Sequence, residues 1–248
     1  MYFKKILIII LIIFIPNSTL SDSLNEERTF NIFAKLPLLP KINIMEIYTK
    51  LKLEEDRYSY NFQIKSKNIV DFISPVNGSG LVIGSKVNGY KPLKYTYKYT
   101  RKSKNKFVEI TYKDKKISEI INIPEYDKSK LTPVLDEMLI DTIDPSTFFL
   151  TVLDYNNMNE CDRFFKIYDG KRRYNVEFEK SNQDYENSRI ECHASQTKLG
   201  GYANEDNERD VFASSDYIRV VYSLDSKEFL GYEAKNGNIL ILINEIRK

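Results

Sequence analysis

The sequence predicts a mainly β protein: a curved antiparallel sheet, half-barrel-like in its meander, wrapped around one or two short helices. Three observations predict it. Tyr (18) and Phe (14) are plentiful while Trp is absent, a bias toward residues that fit a pleated, half-buried surface. Apolar residues alternate with polar ones at period two in several separate stretches, which puts one face on a core and the other in water. Charged neighbours sit close to these stretches in sequence, which suits hairpins better than helical crossovers. With 248 residues, 42% of them hydrophobic, the chain can build a sizeable core. No repeat or Pro- or Ser-rich linker divides it, so a single domain is expected.

The chain opens on an address. Lys4 and Lys5 precede an apolar run from Ile6 to Ile15, then Pro16 and the small residues Thr19 and Ser21, three positions in the order of a secretory signal peptide. A membrane span needs roughly 20 apolar residues, and this run is half that. The alternative is an uncleaved anchor, because Thr-x-Ser is a poor cleavage site. The expected division is signal peptide 1–21, extended leader 22–41 with Pro37 and Pro40, and one β-rich domain over 42–248. Export implies a chain that is soluble outside the cytoplasm.

The elements then follow in order. Ile47, Thr49, Leu51 and Leu53 share one face of a first strand. Tyr58, Tyr60, Phe62 and Ile64 do so on a second. Gly78-Ser79-Gly80 is expected as a turn between strands. Leu93, Tyr95, Tyr97 and Tyr99 alternate with Lys94, Thr96, Lys98 and Thr100, and Val108, Ile110 and Tyr112 repeat the pattern. A weak helical turn falls around Val134–Ile140. Asp144-Pro145 is an N-cap with proline in the first turn, and Phe148, Phe149, Val152 and Leu153 follow at helical spacing. Asp169-Gly170 closes a hairpin between 163–168 and 171–179. As a two-residue loop it sets Tyr168 opposite Lys171, Phe165 opposite Tyr174 and Cys161 opposite Phe178. Ile190, Cys192 and Ala194 alternate on a further strand, and Glu205–Asp210 reads as a solvated loop. Asn236-Gly237 is a type I′ turn signal between 229–235 and 238–246.

Composition excludes several classes of function. Losing Lys4 and Lys5 with the signal peptide leaves 35 basic against 35 acidic residues, a balance unlike that of a nucleic-acid binder. Cys161 and Cys192 are the only cysteines, and in an oxidising compartment an even pair predicts a disulfide. Closing a loop of about 32 residues stabilises by roughly 3.7 kcal/mol in the chain-entropy model. The alternative is two buried thiols. One His and two Cys offer little for metal chemistry, and no cofactor is expected. His193 directly follows Cys192, so the two point to opposite faces of a strand and form no dyad; His193 reads as a surface residue. Asp154, Asn156 and Asn157 hint at a calcium loop, but Met158 and the missing Gly defeat the match. Asn77-Gly78-Ser79 fits the glycosylation pattern. No spacing selects a pair of catalytic carboxylates, so a non-enzyme with no catalytic residues is expected.

Two charge features stand out. The stretch Lys91–Lys116 holds ten basic residues against Glu109 and Asp114. Tyr95, Tyr97 and Tyr99 lie opposite Lys94 and Lys98, as core-in, charge-out strands require. The alternative is contact with an anionic lipid headgroup. In the hairpin register above, Arg163 and Arg172 share the face of Phe165, Ile167, Tyr174 and Val176, where a cation must be paired or meet an anion. A register one residue different would expose both.

The segment Cys161-Asp162-Arg163-Phe164-Phe165-Lys166-Ile167-Tyr168-Asp169-Gly170-Lys171-Arg172-Arg173-Tyr174 carries a resemblance. Ile143-Asp144-Pro145-Ser146 precedes it, and Ile190-Glu191-Cys192 and Gly200-Gly201-Tyr202 follow. Together these resemble the family known as domain of unknown function 3108, over roughly Ile44 to Ile243. Asp144, Pro145, Cys161, Asp169, Gly170, Arg172, Arg173, Tyr174 and Cys192 are the matching positions. Lys171 stands where the family often has Arg, and Gly231 where a Pro is usual. The resemblance implies an exported, envelope-facing β-rich protein of Gram-negative bacteria and supplies no catalytic residues.

The functional expectation is a periplasmic binding or carrier protein for an apolar or lipid-like ligand. Arg163, Arg172, Tyr174 and Phe165 are the candidate binding residues, with the arginines or the basic hairpins meeting an anionic head. The alternative is an envelope interaction or scaffolding protein with a filled core and an envelope protein as partner. A continuous apolar cavity of roughly 300 Å³ or more separates the first from the second.

Overall fold

The computed structural model describes residues 24–179, 182–203 and 217–247. The expected signal peptide and the Glu205–Asp210 loop lie outside the described residues. Among the described residues there are fourteen strands: β1 (Leu24–Lys35), β2 (Ile42–Glu54), β3 (Arg57–Ser66), β4 (Val76–Ser85), β5 (Lys91–Arg101), β6 (Lys104–Lys113), β7 (Lys116–Ile123), β8 (Arg163–Tyr168), β9 (Arg173–Phe178), β10 (Asn182–Asp184), β11 (Arg189–Gly200), β12 (Tyr217–Ser223), β13 (Phe229–Asn236) and β14 (Ile239–Glu245). Two short helices, α1 (Asn68–Ile73) and α2 (Pro145–Val152), interrupt them. The sheet order is β7-β6-β5-β4-β3-β2-β1-β14-β13-β12-β11-β9-β8, with β10 pairing on β11. The antiparallel, mainly β expectation holds.

The stretch 22–41, expected as a leader outside the domain, contributes a strand at the middle of the sheet. β1 pairs with β2 on one side and β14 on the other, and so joins the two halves. The reason is an alternation that went unread: Phe30 and Ile32 point inward and are fully buried. Of its described residues, only the turn after Lys35, with its two prolines, is irregular chain.

The sheet does not close, but its two edge strands approach. Asp141 N donates to the Lys115 carbonyl oxygen at 2.8 Å, Ile143 pairs in parallel with Ile167 of β8, and Asn122 Nδ2 of β7 donates to the Gly170 carbonyl oxygen at 2.9 Å. The chain between β7 and α2 thus fills the seam.

Two groups of inward side chains fill the interior. Leu51, Tyr58, Phe62, Val82, Tyr95 and Ile110 belong to one half, and Phe30, Phe165, Val176, Ile190, Tyr222 and Phe229 to the other. Helix α2 lies between them, giving Leu150 to the first and Phe148, Val152 and Leu153 to the second. Asp144 caps it as expected, accepting from Ser146 N and Thr147 N at 2.9 Å each. Each half grips the helix with a phenol: Tyr58 Oη lies 3.0 Å from Thr147 Oγ1, and Tyr222 Oη donates to the Val152 carbonyl oxygen at 2.6 Å. The weaker helical turn at 134–140 is a 3-10 turn over Asp136–Leu139.

Four local expectations are corrected. Gly78-Ser79-Gly80 lies inside β4, where the missing side chains make room for Phe62 and Tyr97; a Cβ on Gly80 would sit 2.2 Å from Phe62 Cζ. Leu93 is the extra residue of a bulge between β4 and β5, 48% exposed, and Pro92 takes the inward place. The β8–β9 loop spans Asp169–Arg172 rather than two residues, so Tyr168 faces Arg173 and Phe165 faces Val176. Asp169 causes this by accepting from Lys171 N (2.9 Å) and Arg172 N (2.6 Å), which folds those residues into the turn. At the C-terminal hairpin Asn236 pairs with Ile239, leaving Gly237-Asn238 as the loop, with Gly237 at φ +53° supplying the left-handed position.

Candidate functional site

The register defines two ends of the sheet. One carries the β2–β3, β4–β5 and β12–β13 turns and the chain that follows α2. There the inward face does not fill. A cleft of about 260 Å³ opens between β1, β2, β3 and the end of α2. Its apolar wall comes from Leu51, Leu53, Tyr60, Tyr90, Leu150 and Leu153. Alternation puts Leu24, Glu26 and Arg28 of β1 on the same inward face, so charge enters the cleft from the strand that joins the halves.

The polar groups of the cleft are unevenly satisfied. Arg28 pairs with Glu26 and lies 3.8 Å from Glu245. Glu245 is raised above the usual carboxylate range, chiefly by burial. Thr49 gives its hydroxyl proton to the Arg28 carbonyl oxygen at 3.3 Å, and the neighbouring buried Tyr60 hydroxyl makes no hydrogen bond of normal geometry. Burial holds the Tyr60 phenol protonated far beyond neutral pH, against a smaller downward pull from the Thr49 hydroxyl beside it, so it enters the cleft as a donor. Burial likewise pushes Tyr90 up to about 12. Asp154, Lys227 and Glu228 stand at the rim.

The residues expected from the sequence are not gathered here. Phe165 and Tyr174 are packed into the core; Phe165 meets Phe148 edge-to-face at 5.1 Å and Phe178 at 6.0 Å. Arg163 is half-buried at the cleft end, donates to the Asn157 carbonyl oxygen and lies 5.3 Å from the Phe165 ring. Arg172 is at the opposite end, in the β8–β9 turn, where its Nε and Nη2 each meet Asp169 Oδ2 at 2.8 Å. The two arginines share no face, because Arg172 has left the strand. The buried cation is Arg173, whose Nε donates to the Met138 carbonyl oxygen at 2.7 Å and whose Nη1 donates to that of Tyr174.

Other expected features take plain structural roles. Cys161 and Cys192 form the disulfide, Cα–Cα 5.4 Å, both fully buried. Asp154 caps the turn after α2, accepting from Asn156 N at 3.1 Å and Asn157 Nδ2 at 2.6 Å. His193 lies on the outer face, half-exposed, with Nδ1 3.0 Å from Tyr217 Oη and Nε2 3.5 Å from Glu191. Lys94 of the basic stretch pairs with Glu109 at 2.8 Å. A broader, more open hollow of about 570 Å³ is lined by Ile64, Tyr99, Phe107 and Ile123 together with Lys98 and Lys106, and its lining is more apolar than polar. The cleft residues Glu26, Arg28 and Tyr60 went unselected in the sequence. The available signal was two charged residues in the inward positions just ahead of Phe30 and Ile32.

Comparison with known proteins adds a family and a distant fold likeness. Residues 29–235 match the family described as protein of unknown function DUF3108. No curated protein matches. Among solved structures the chain is similar to a beta-barrel-like protein of domain of unknown function DUF1849 from Brucella abortus. That similarity has 7% identity and a TM-score of 0.45, and covers 89% of this chain and 96% of that one.

Proposed function

We propose that this chain, which belongs to the DUF3108 family, is a non-enzymatic periplasmic binding protein that holds the apolar end of a ligand in the cleft between β1, β2, β3 and α2. The observation that carries the reading is the cleft itself, with an apolar wall in which the buried Tyr60 hydroxyl makes no hydrogen bond of normal geometry. Leaving such a donor unmade costs stability in the free protein, and an acceptor on an entering ligand recovers that cost. Arg28 beside it favours an anionic or strongly polar ligand group.

The reading is narrower than a carrier that encloses a whole lipid. The cleft falls short of the roughly 300 Å³ that marks an open ligand cavity, and the rest of the interior is filled by two packed clusters. That filled interior favours the second reading, an envelope scaffold acting through its outer surface.

Mass spectrometry of lipid extracted from protein purified from native periplasm separates the two. The binding reading expects a single-chain amphiphile in the parent protein and its loss in Leu51→Trp and Leu150→Trp, which fill the cleft. Protein free of any such molecule in every preparation favours the scaffold.

A further inference from the structure

The opposite end of the sheet presents apolar side chains to solvent within a ring of bases. Register brings three segments to that end. The β1–β2 turn is there by construction; Met45 of β2 faces Ser66, so the end of β3 and α1 lie beside it; Val76 of β4 faces Arg101, which places the β5–β6 turn next in line. Lys67 N donates to the Ile44 carbonyl oxygen and Asn68 Nδ2 to that of Asn43, each at 2.9 Å, fixing α1 against the base of the turn.

The exposed apolar residues are large and contiguous in chain position. Leu36, Leu38 and Leu39 form the turn, with Leu38 fully exposed; Ile69, Phe72 and Ile73 project from α1, with Phe72 91% exposed. Leu38 also takes φ +65° in a turn closed by Leu39 N to the Leu36 carbonyl oxygen at 3.2 Å, following Pro37. Glycine is the residue this backbone favours, and leucine stands there instead. Around this patch are Lys35, Lys41, Arg101, Lys102 and Lys104, all exposed, and none forms an ion pair among the described residues. Two carboxylates at this end are engaged, Glu46 with Lys67 at 3.1 Å and Asp71 with Ser66 Oγ at 2.6 Å.

We propose that this end docks on the surface of a bilayer rich in anionic lipid, with Leu38 and Phe72 inserted among the headgroups and the surrounding lysines and arginine on the phosphates. An apolar tip with a basic collar matches an interface that is oily below and negatively charged above, and a protein partner would need one patch carrying both. The proposal is independent of the cleft, which opens at the other end.

Co-sedimentation of the purified protein with vesicles of phosphatidylglycerol and phosphatidylethanolamine, against vesicles of phosphatidylcholine alone, tests it. The expected result is binding to the first that weakens with added salt, and little binding to the second. Leu38→Ser with Phe72→Ser lowers the partition at least tenfold, and Lys102→Gln and Lys104→Gln lower it about fivefold each. All four sites are exposed, and an unchanged circular dichroism spectrum shows that the fold is kept. Leu150→Trp leaves vesicle binding unchanged. The proposal is overturned by absence of binding to either vesicle, by variants that bind like the parent, or by a dimer in ultracentrifugation that Leu38→Ser dissolves without any vesicle binding.

Discussion

Tyr58 of β3 donates to Thr147 Oγ1 of α2 across 3.0 Å, and the Thr147 hydroxyl passes its own proton to Asp144 Oδ2 at 2.6 Å. Thr147 has one proton, so committing it to Asp144 fixes the direction of the whole relay. All three side chains are buried. A strand of one half of the sheet is thereby tied to the cap of the helix that both halves pack around, and the cost of burying a carboxylate is offset by three donors. Removing the first donor should loosen that tie: Tyr58→Phe is expected to lower unfolding free energy by about 1 kcal/mol in urea titration. In the Thr147→Val background the same change should cost clearly less, because the acceptor is gone.

Asp144 also makes stability depend on pH. Burial pushes its carboxyl up from 3.8 to about 6, despite the hydrogen bonds from Thr147 and Ser146 that pull it down. The folded chain therefore keeps a proton that the unfolded chain gives up near pH 4. Its contribution is fully present below about pH 4 and is lost as pH rises to about 6, a swing on the order of 3 kcal/mol. Asp144→Asn keeps an oxygen for the helix cap and cannot ionise. Thermal melts of the variant should show a flatter profile between pH 4 and 6 than the parent, and a parent profile without slope in that window would refute the assignment.

Gly80 tests the packing of aromatic rings on β4. A Cβ there meets Phe62 Cζ at 2.2 Å and the Thr96 carbonyl oxygen at 2.7 Å. Gly80→Ala is expected to destabilise by about 2 kcal/mol through overpacking. Phe62→Leu should recover only part, since the carbonyl cannot withdraw as a ring can. Gly78→Ala, whose nearest neighbour is Tyr97 at 3.1 Å, should cost less in the same denaturation series.

The disulfide joins the turn after α2 to β11, and both cysteines are shielded from solvent. Replacing both by Ser should lower stability by roughly 3 kcal/mol, at the lower side of the loop-closure value. Mild reductant should leave the folded protein oxidised, as read by thiol labelling before and after addition of urea.

Arg173 ties β9 to the 3-10 turn at 136–139 through the Met138 carbonyl oxygen and also donates to that of its neighbour Tyr174, and burial lowers its basicity. Arg173→Ala removes both bonds and should cost about 3 kcal/mol. Arg173→Lys should fail to restore it, because one ammonium does not span the geometry of a planar guanidinium.

How much could be read beforehand follows from how local each signal is. The alternation of Tyr58, Tyr60, Phe62 and Ile64 needs only ten residues to declare its face, and β3 is as expected. Asp144-Pro145 declares the start of α2 in two. The β8–β9 register slipped by two because the Asp169 side chain captured the backbone of Lys171 and Arg172, a three-residue effect that the Asp-Gly pair alone does not reveal. The slip is even, so Phe165 and Tyr174 stayed inward although their partners changed, while Arg172 left the strand for the turn. The candidate site fared worse. It was sought where cations sat among apolar residues of one hairpin, and the cleft is built instead from strands, a helix end and two turns that are remote in sequence.

Sequence by itself determined the mainly β class, the faces of most strands, the cap of α2, the disulfide and the family. Each of these depends on short-range periodicity, on turn chemistry or on the pairing of only two cysteines. Tertiary structure alone decided that residues 24–35 form the strand between the halves, that the interior fills except at one end, and that the apolar turn and α1 share the other end. Those outcomes depend on which distant strands become neighbours, and pairing energy between strands is carried by contacts that no single stretch of chain contains.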